Sequence, residues 1–393
     1  MPRPRGEATP RTVLVLFAIG LVAAALAHGA ASAPAVGTAP TASSLSAPPP
    51  SGALEFLALG DWGRGGSAAQ RNVASAMAEW ATAHPVRFVV STGDNFYSYG
   101  VASVTDPQWK TSFEDVYAAR SLQVPWFVAL GNHDARGSVE AQIEYSTRSP
   151  RWRMPARTYT FTQTAGGARI QFFVLDTSPF LATYRSILSR TKVSGQDPAA
   201  QRAWLEKELA ASTADWKIVV GHHPIRSCGP HGDSVELVRD VLPLLERYGV
   251  AVYLNGHDHS LQHLRSGGID FFTSGGGSDV TRVSPDSRTV WAEATSGFIA
   301  FRLTAEAIHA AIVDAAGAVR HEATIPRAAA RFARTARPGP RDAAPPVRAA
   351  SPRIRARVFP ASSRRGRRRP AASPFETRKL SPTLSKTSTC SLP

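Results

Sequence analysis

Five times between Leu54 and His259 a short apolar run breaks on a glycine turn that carries a potential metal ligand. The runs cover 54–59, 86–91, 126–130, 217–220 and 250–254. The turns are Gly60-Asp61-Trp62-Gly63, Gly93-Asp94-Asn95-Phe96-Tyr97, Gly131-Asn132-His133-Asp134, Gly221-His222 and Gly256-His257-Asp258-His259. Apolar runs of this length suit strands covered on both faces. Helical patterns lie between them. Val73, Ala76, Met77 and Trp80 share one helical face, and Ser67 is placed to cap that helix. A second pattern, 199–211, is built around Trp204, Leu205 and Leu209. A third, 234–248, stops at Gly249, with Pro243 kinking it or marking its start. Strands alternating with helices predict an α/β fold with largely parallel pairing, whose ligands gather beyond the carboxyl ends of the strands. The runs 297–303, 307–313 and 318–325 read as antiparallel strands that close the second sheet.

The flanks read differently. Arg3, Arg5 and Arg11 precede an apolar run over 13–27, and Ala31-Ser32-Ala33 follows it. This order predicts a secretory signal peptide over 1–33, too short in its apolar part for a membrane anchor. Residues 34–53, rich in Ala, Pro, Ser and Thr, predict a linker, and the folded domain is expected over 54–326. The formal charge of +15 belongs to the end of the chain: beyond Pro326 lie 17 of the 45 Lys and Arg but 2 of the 30 Asp and Glu. The body is therefore balanced, and 327–393 is expected to be a basic disordered tail. Such a tail is either simply solvated or makes a weak, salt-sensitive polyanion contact. The two cysteines, Cys228 and Cys390, do not establish a disulfide from sequence alone.

Any one of the five turns is commonplace. A lone Gly-Asp is an ordinary turn, and a lone Gly-His commonly holds a structural histidine. Their order is what carries chemistry. The succession GDxG, GDxxY, GNHD, VxxH, GHxH resembles the purple acid phosphatases of the metallophosphoesterases, most closely the small tartrate-resistant type. Gly63 stands where most metallophosphoesterases have a histidine, and Tyr97 is a residue that most of them lack.

The resemblance implies a calcineurin-like sandwich of two mixed β-sheets flanked by helices. It implies a binuclear centre with Asp94 as the bridging carboxylate. Asp61, Tyr97 and His259 would complete a ferric site, and Asn132, His222 and His257 a divalent site for iron, zinc or manganese. Carboxylate and tyrosinate suit a trivalent ion, and imidazole with an amide oxygen suits a divalent one. The implied activity is hydrolysis of phosphate monoesters at acid pH through a metal-bound hydroxide, with small phosphate esters or phosphoproteins as substrates. His133 and His231 would face the substrate as orienting groups or general acids, their ordinary pKa lying near about 6.5. His223 either lines the pocket or packs. Asp134 is expected to orient His133 or brace its turn, and Asp258 to play a similar part. The segment 178–196 corresponds to a loop that restrains activity in small family members. Phosphodiesters and phosphoanhydrides remain alternative substrates, and a metal-binding pseudoenzyme is a third reading. The signal peptide implies delivery outside the cell or to an acidic vacuole or lysosome.

Overall fold

The structure, a computed structural model, describes Leu45 and residues 49–186 and 188–327. The expected signal peptide and the tail beyond Arg327 lie outside the described residues. Within the expected linker, Leu45 is buried; its N–H donates to Glu322 Oε1 (2.9 Å) and its carbonyl accepts from Arg302 (3.1 Å). No helix among the described residues is long and apolar enough to cross a membrane.

Two seven-stranded mixed sheets pack face to face. In the first, β1 (Leu54–Leu59), β2 (Val86–Ser91), β3 (Trp126–Val128) and β4 (Trp152–Arg153) run parallel. The second holds β5 (Tyr159–Ala165), β6 (Ala168–Val174), β7 (Trp216–Val220), β8 (Val252–Asn255), β9 (Leu261–Ser266), β10 (Ile269–Ser274) and β11 (Thr289–Glu293). Its centre, β6, β7, β8 and β10, is parallel, while β5, β9 and β11 pair antiparallel at its flanks.

The last three strands, β12 (Gly297–Leu303), β13 (Ala307–Asp314) and β14 (Val319–Pro326), are antiparallel as their pattern suggests, but they extend the first sheet. The register Leu54↔Leu303 sets β12 beside β1. Every residue of β12 is buried, which its place between β1 and β13 explains and its sequence pattern did not.

Aromatic rings fill the gap between the sheets. Phe56 stacks on Phe88 (5.0 Å between centroids) and Phe301 (4.9 Å), and Phe88 meets Phe172 edge-on (5.6 Å). Helices cover the outer faces: α1 (Ala68–Ala83), α2 (Val139–Tyr145), α3 (Ala182–Arg185), α4 (Pro198–Ala211), α5 (Val235–Asp240) and α6 (Leu242–Arg247). Ser67 caps α1 by accepting from Gln70 N. The single helix expected over 234–248 is two, with Pro243 in the first turn of α6, where a missing N–H costs nothing.

Candidate metal centre

All five glycine turns sit at carboxyl ends of parallel strands: after β1, β2 and β3 in the first sheet, and after β7 and β8 in the second. The ends converge because the sheets pack face to face with these strands central. Each turn is also anchored from below. Trp62 donates its indole N–H to Ser91 Oγ (2.9 Å) and meets Phe96 edge-on (5.6 Å), so the neighbours of Asp61 and Tyr97 are locked in core.

The glycines serve close approach more than left-handed backbone. A Cβ at Gly131 would strike the Asp94 carboxylate, and one at Gly63 would strike the Asn95 carbonyl. The latter leaves no room for a histidine at position 63. Of the turn glycines Gly93 alone has a positive φ (98°), and the left-handed non-glycine residues described are three expected ligands: Asp61 (φ 59°), Asp94 (φ 51°) and His257 (φ 71°). Such backbone costs on the order of 1–3 kcal/mol per residue and is found where function demands it.

The seven expected ligands form two adjoining groups. In one, the Tyr97 hydroxyl lies 2.9 Å from Asp61 Oδ1, 3.0 Å from Asp94 Oδ2 and 3.2 Å from His259 Nε2. In the other, His222 Nε2 lies 3.2 Å from Asn132 Oδ1, 3.2 Å from His257 Nδ1 and 3.4 Å from Asp94 Oδ2. Asp94 Oδ2 is thus common to both. Backbone amides hold the carboxylates: His133 N donates to Asp94 Oδ1 (2.8 Å) and His257 N to Asp61 Oδ2 (2.9 Å).

The protons do not suffice for these contacts. His222 Nδ1–H is committed to the Thr92 carbonyl at 3.0 Å, which leaves Nε2 as the atom that faces the site. One phenolic proton cannot serve both carboxylates. Burial opposes a proton on His222, but Asp94 and Asp61 outweigh it and push the pKa up to about 9. Burial, reinforced by Asp61 and Asp94, holds the Tyr97 phenol well above its ordinary value. Burial and the surrounding histidines hold His257 well below its own. Buried oxygen and nitrogen lone pairs in this density fit two cations sharing one carboxylate oxygen.

His133 and His231 flank the two groups. His133 turns Nε2 toward Asp94 Oδ2 (3.9 Å) and places Nδ1 2.8 Å from the Ser98 carbonyl. Asp134 does not orient it. That carboxylate accepts from Gly131 N (2.8 Å), Asn95 N (3.0 Å), Phe96 N (3.2 Å), Asn95 Nδ2 (3.0 Å) and Gln142 Nε2 (3.0 Å), so it braces the Asp94 and Asn132 turns together. Burial and the charge of Asp94 push its pKa up to about 7, while the N–H contacts favour the carboxylate. Asp258 does orient a histidine: its Oδ1 lies 2.8 Å from His231 Nδ1, and His231, half exposed, stands 4.0 Å from the His257 ring. His223 is fully buried beneath the site. The Thr177 hydroxyl accepts from His222 N and His223 N, so its proton goes to His223 Nδ1 (2.8 Å). Cys228 is a buried free thiol.

Sequence reading missed Arg64 and Asp279. Arg64 lies over the Tyr97 ring at 4.0 Å and pairs with Asp279 (3.3 Å), whose carboxylate faces His259 Nδ1 at 3.7 Å. Only the place of Arg64, three residues after Asp61 and next to Gly63, hinted at the first, and nothing hinted at Asp279. The segment 178–196 borders the centre. Thr191 reaches the Asn132 carbonyl (3.5 Å), and the Tyr184 ring lies 5.2 Å from that of His223.

Residues 54–261 match the family model of the calcineurin-like phosphoesterases. Purple acid phosphatase 4 of Arabidopsis thaliana is 38% identical over 291 residues, covering 70% of this chain and 84% of its own. Tartrate-resistant acid phosphatase type 5 of Homo sapiens is 34% identical over 299 residues, covering 70% of this chain and 92% of its own. Among solved structures, GAP50, the anchor in the inner membrane complex of Plasmodium, superposes with a TM-score of 0.64 at 27% identity, over 71% of this chain and 90% of that one.

Proposed function

Because the chain belongs to the purple acid phosphatases, within the calcineurin-like phosphoesterases, we propose that it is a secreted enzyme that hydrolyses phosphate monoesters at an Fe(III)–M(II) pair. The observation that carries this reading is Asp94 Oδ2, which lies within 3.4 Å of both donor groups. Asp61, Tyr97 and His259 would hold the ferric ion, and Asn132, His222 and His257 the divalent one. A metal pair bound there supplies Lewis acidity toward the phosphoryl group and an activated water.

The residues of the chain do the rest. Tyr97, as tyrosinate, adds a hard anionic donor to the group that already holds Asp61 and Asp94. Thr92 fixes the ring of His222 from behind, and the Asp279 carboxylate faces Nδ1 of His259 at 3.7 Å. His133 Nε2 stands beside Asp94, where it can orient a phosphate oxygen or pass a proton to the departing alkoxide. His231, steered by Asp258, faces the substrate beside His257. Small phosphate esters and phosphoproteins are the proposed substrates. The leader-like start of the chain supports delivery through the secretory pathway.

The visible spectrum of the purified enzyme beside Tyr97→Phe tests the metal assignment. A purple or pink charge-transfer band is expected in the parent and should vanish in the variant. A folded parent with two metals and no band would overturn the ferric tyrosinate. His133→Ala should lower kcat by about 10²-fold with metal content unchanged, the loss expected of one positioned acid or base. Phosphate release and metal analysis of the same sample check this, and unchanged turnover removes His133 from the reaction.

A further inference from the structure

We propose that the groove behind His133 is a second anion site, which selects substrates whose leaving group itself carries a phosphate. This rests on the phosphatase reading above and adds the residues Arg136 and Arg190 to it. Arg136 follows the Asn132 turn and sets Nη1 3.1 Å from His133 Nδ1 and 3.3 Å from the Ser98 carbonyl. With the His133 Nδ1–H donated to that same carbonyl, the imidazole offers the guanidinium no lone pair there. Arg136 Nε is buried without a hydrogen-bond partner, and no carboxylate lies within 4.0 Å of the side chain among the described residues.

Arg190 lies on the same groove. It donates to the Tyr99 hydroxyl (2.8 Å), and it too has no carboxylate partner among the described residues. Both line a cleft of about 510 Å³ with Tyr184, Ser189 and Thr191. Thr191 marks the end of the cleft at the metal turn, through its contact with the Asn132 carbonyl. Several arginines of the body are neutralised, Arg151 by Glu114, Arg157 by Glu140 and Asp176, and Arg288 by Asp233 and Asp286; what sets this pair apart is that both line one cleft and that Arg136 Nε is buried without a partner. Two guanidinium groups without a carboxylate partner line this one cleft, and their forked donors match phosphate oxygens.

The imidazole of His133 separates the two places. Its Nε2 faces Asp94 and its Nδ1 side faces Arg136. A leaving group that extends from the metal centre past His133 would meet the arginines. For inorganic diphosphate, one water is consumed, the bridging P–O bond breaks and two orthophosphates leave. The leaving phosphate is the part that the arginines would hold.

Initial rates on inorganic diphosphate and on p-nitrophenyl phosphate, with the metal-loaded enzyme, decide the matter. The quantity to read is the ratio of the two kcat/KM values. Removing two charge-assisted contacts with phosphate in Arg136→Gln/Arg190→Gln should lower that ratio about tenfold or more. The exposed Arg190→Gln alone, which carries no folding risk near His133, should lower it about threefold. Damage to the metals scales both substrates, and Arg190→Gln, whose side chain bonds Tyr99 and not His133, separates loss of the anion site from damage to the proton donor. A ratio that stays within about twofold of the parent in both variants overturns the anion site, because a purely structural arginine does not discriminate leaving groups. A parent that holds two metals and turns over neither substrate sinks the phosphatase reading instead.

Discussion

Asp94→Asn is expected to abolish the paired metal centre and to lower kcat by about 10³-fold or more, since two-metal catalysis depends on a clamp at fixed spacing. Asp94 Oδ2 is the one atom near both donor groups, 3.0 Å from Tyr97 and 3.4 Å from His222. An amide there keeps the size and loses the charge. It also sets an NH₂ group against either His133 N–H at Oδ1 or the phenol and imidazole at Oδ2. Burial alone would raise the pKa of Asp94, but His222 and His133 outweigh it and hold the carboxylate ionised. Metal analysis of the dialysed variant, with turnover of p-nitrophenyl phosphate, checks the expectation. Two metals retained at parental turnover would show that the bridge lies elsewhere.

Asp134→Asn is expected to cost about 3 kcal/mol or more of folding stability, because it breaks a buried charge network while keeping its shape. The carboxylate receives only N–H groups, from Gly131, Asn95, Phe96 and Gln142. In the variant, an NH₂ faces either Gly131 N–H and the Asn95 amide or the other three donors. No rotation of the amide satisfies both sides. Urea unfolding at pH 8, above the value of about 7 to which burial and Asp94 push this group, is the appropriate measurement. The two ligand turns that Asp134 joins should loosen together, so metal affinity should fall with stability. A loss under about 1 kcal/mol would mean that the turns hold themselves.

The chain announces its centre more openly than its architecture. β1 and β2 begin and end where their apolar runs do, and the seven expected ligands lie in glycine-led turns that a pattern can find. The β5–β6 hairpin and the strands β9 to β11 were not legible. Their alternation is blurred, since β10 is buried throughout and β11 is half exposed throughout. The sheet to which β12, β13 and β14 belong was also hidden: an antiparallel pattern says that a strand pairs, and not which edge it finds. The supporting contacts are out of reach for a similar reason. Thr92 acts through its carbonyl, which any residue possesses. Asp134 looked like a partner for the histidine beside it, yet its acceptors are spent on backbone amides of the preceding strand turn.

The division of the ligands between the sheets has a consequence for the chain as a polymer. Asp61, Asp94, Tyr97 and Asn132 follow strands of one sheet, while His222, His257 and His259 follow strands of the other. Cations bound there would close long loops, as with Tyr97 and His259 of one donor group, 162 residues apart. Cys228 is the one cysteine in this region and has no partner among the described residues, so the metals take the place of cross-links. Unlike a disulfide, such a link tightens by mass action, adding about 4 kcal/mol when free metal stands a thousandfold above its dissociation constant. With such ligands filled, the cohesion of the sandwich would be set in part by the metal supply of its surroundings.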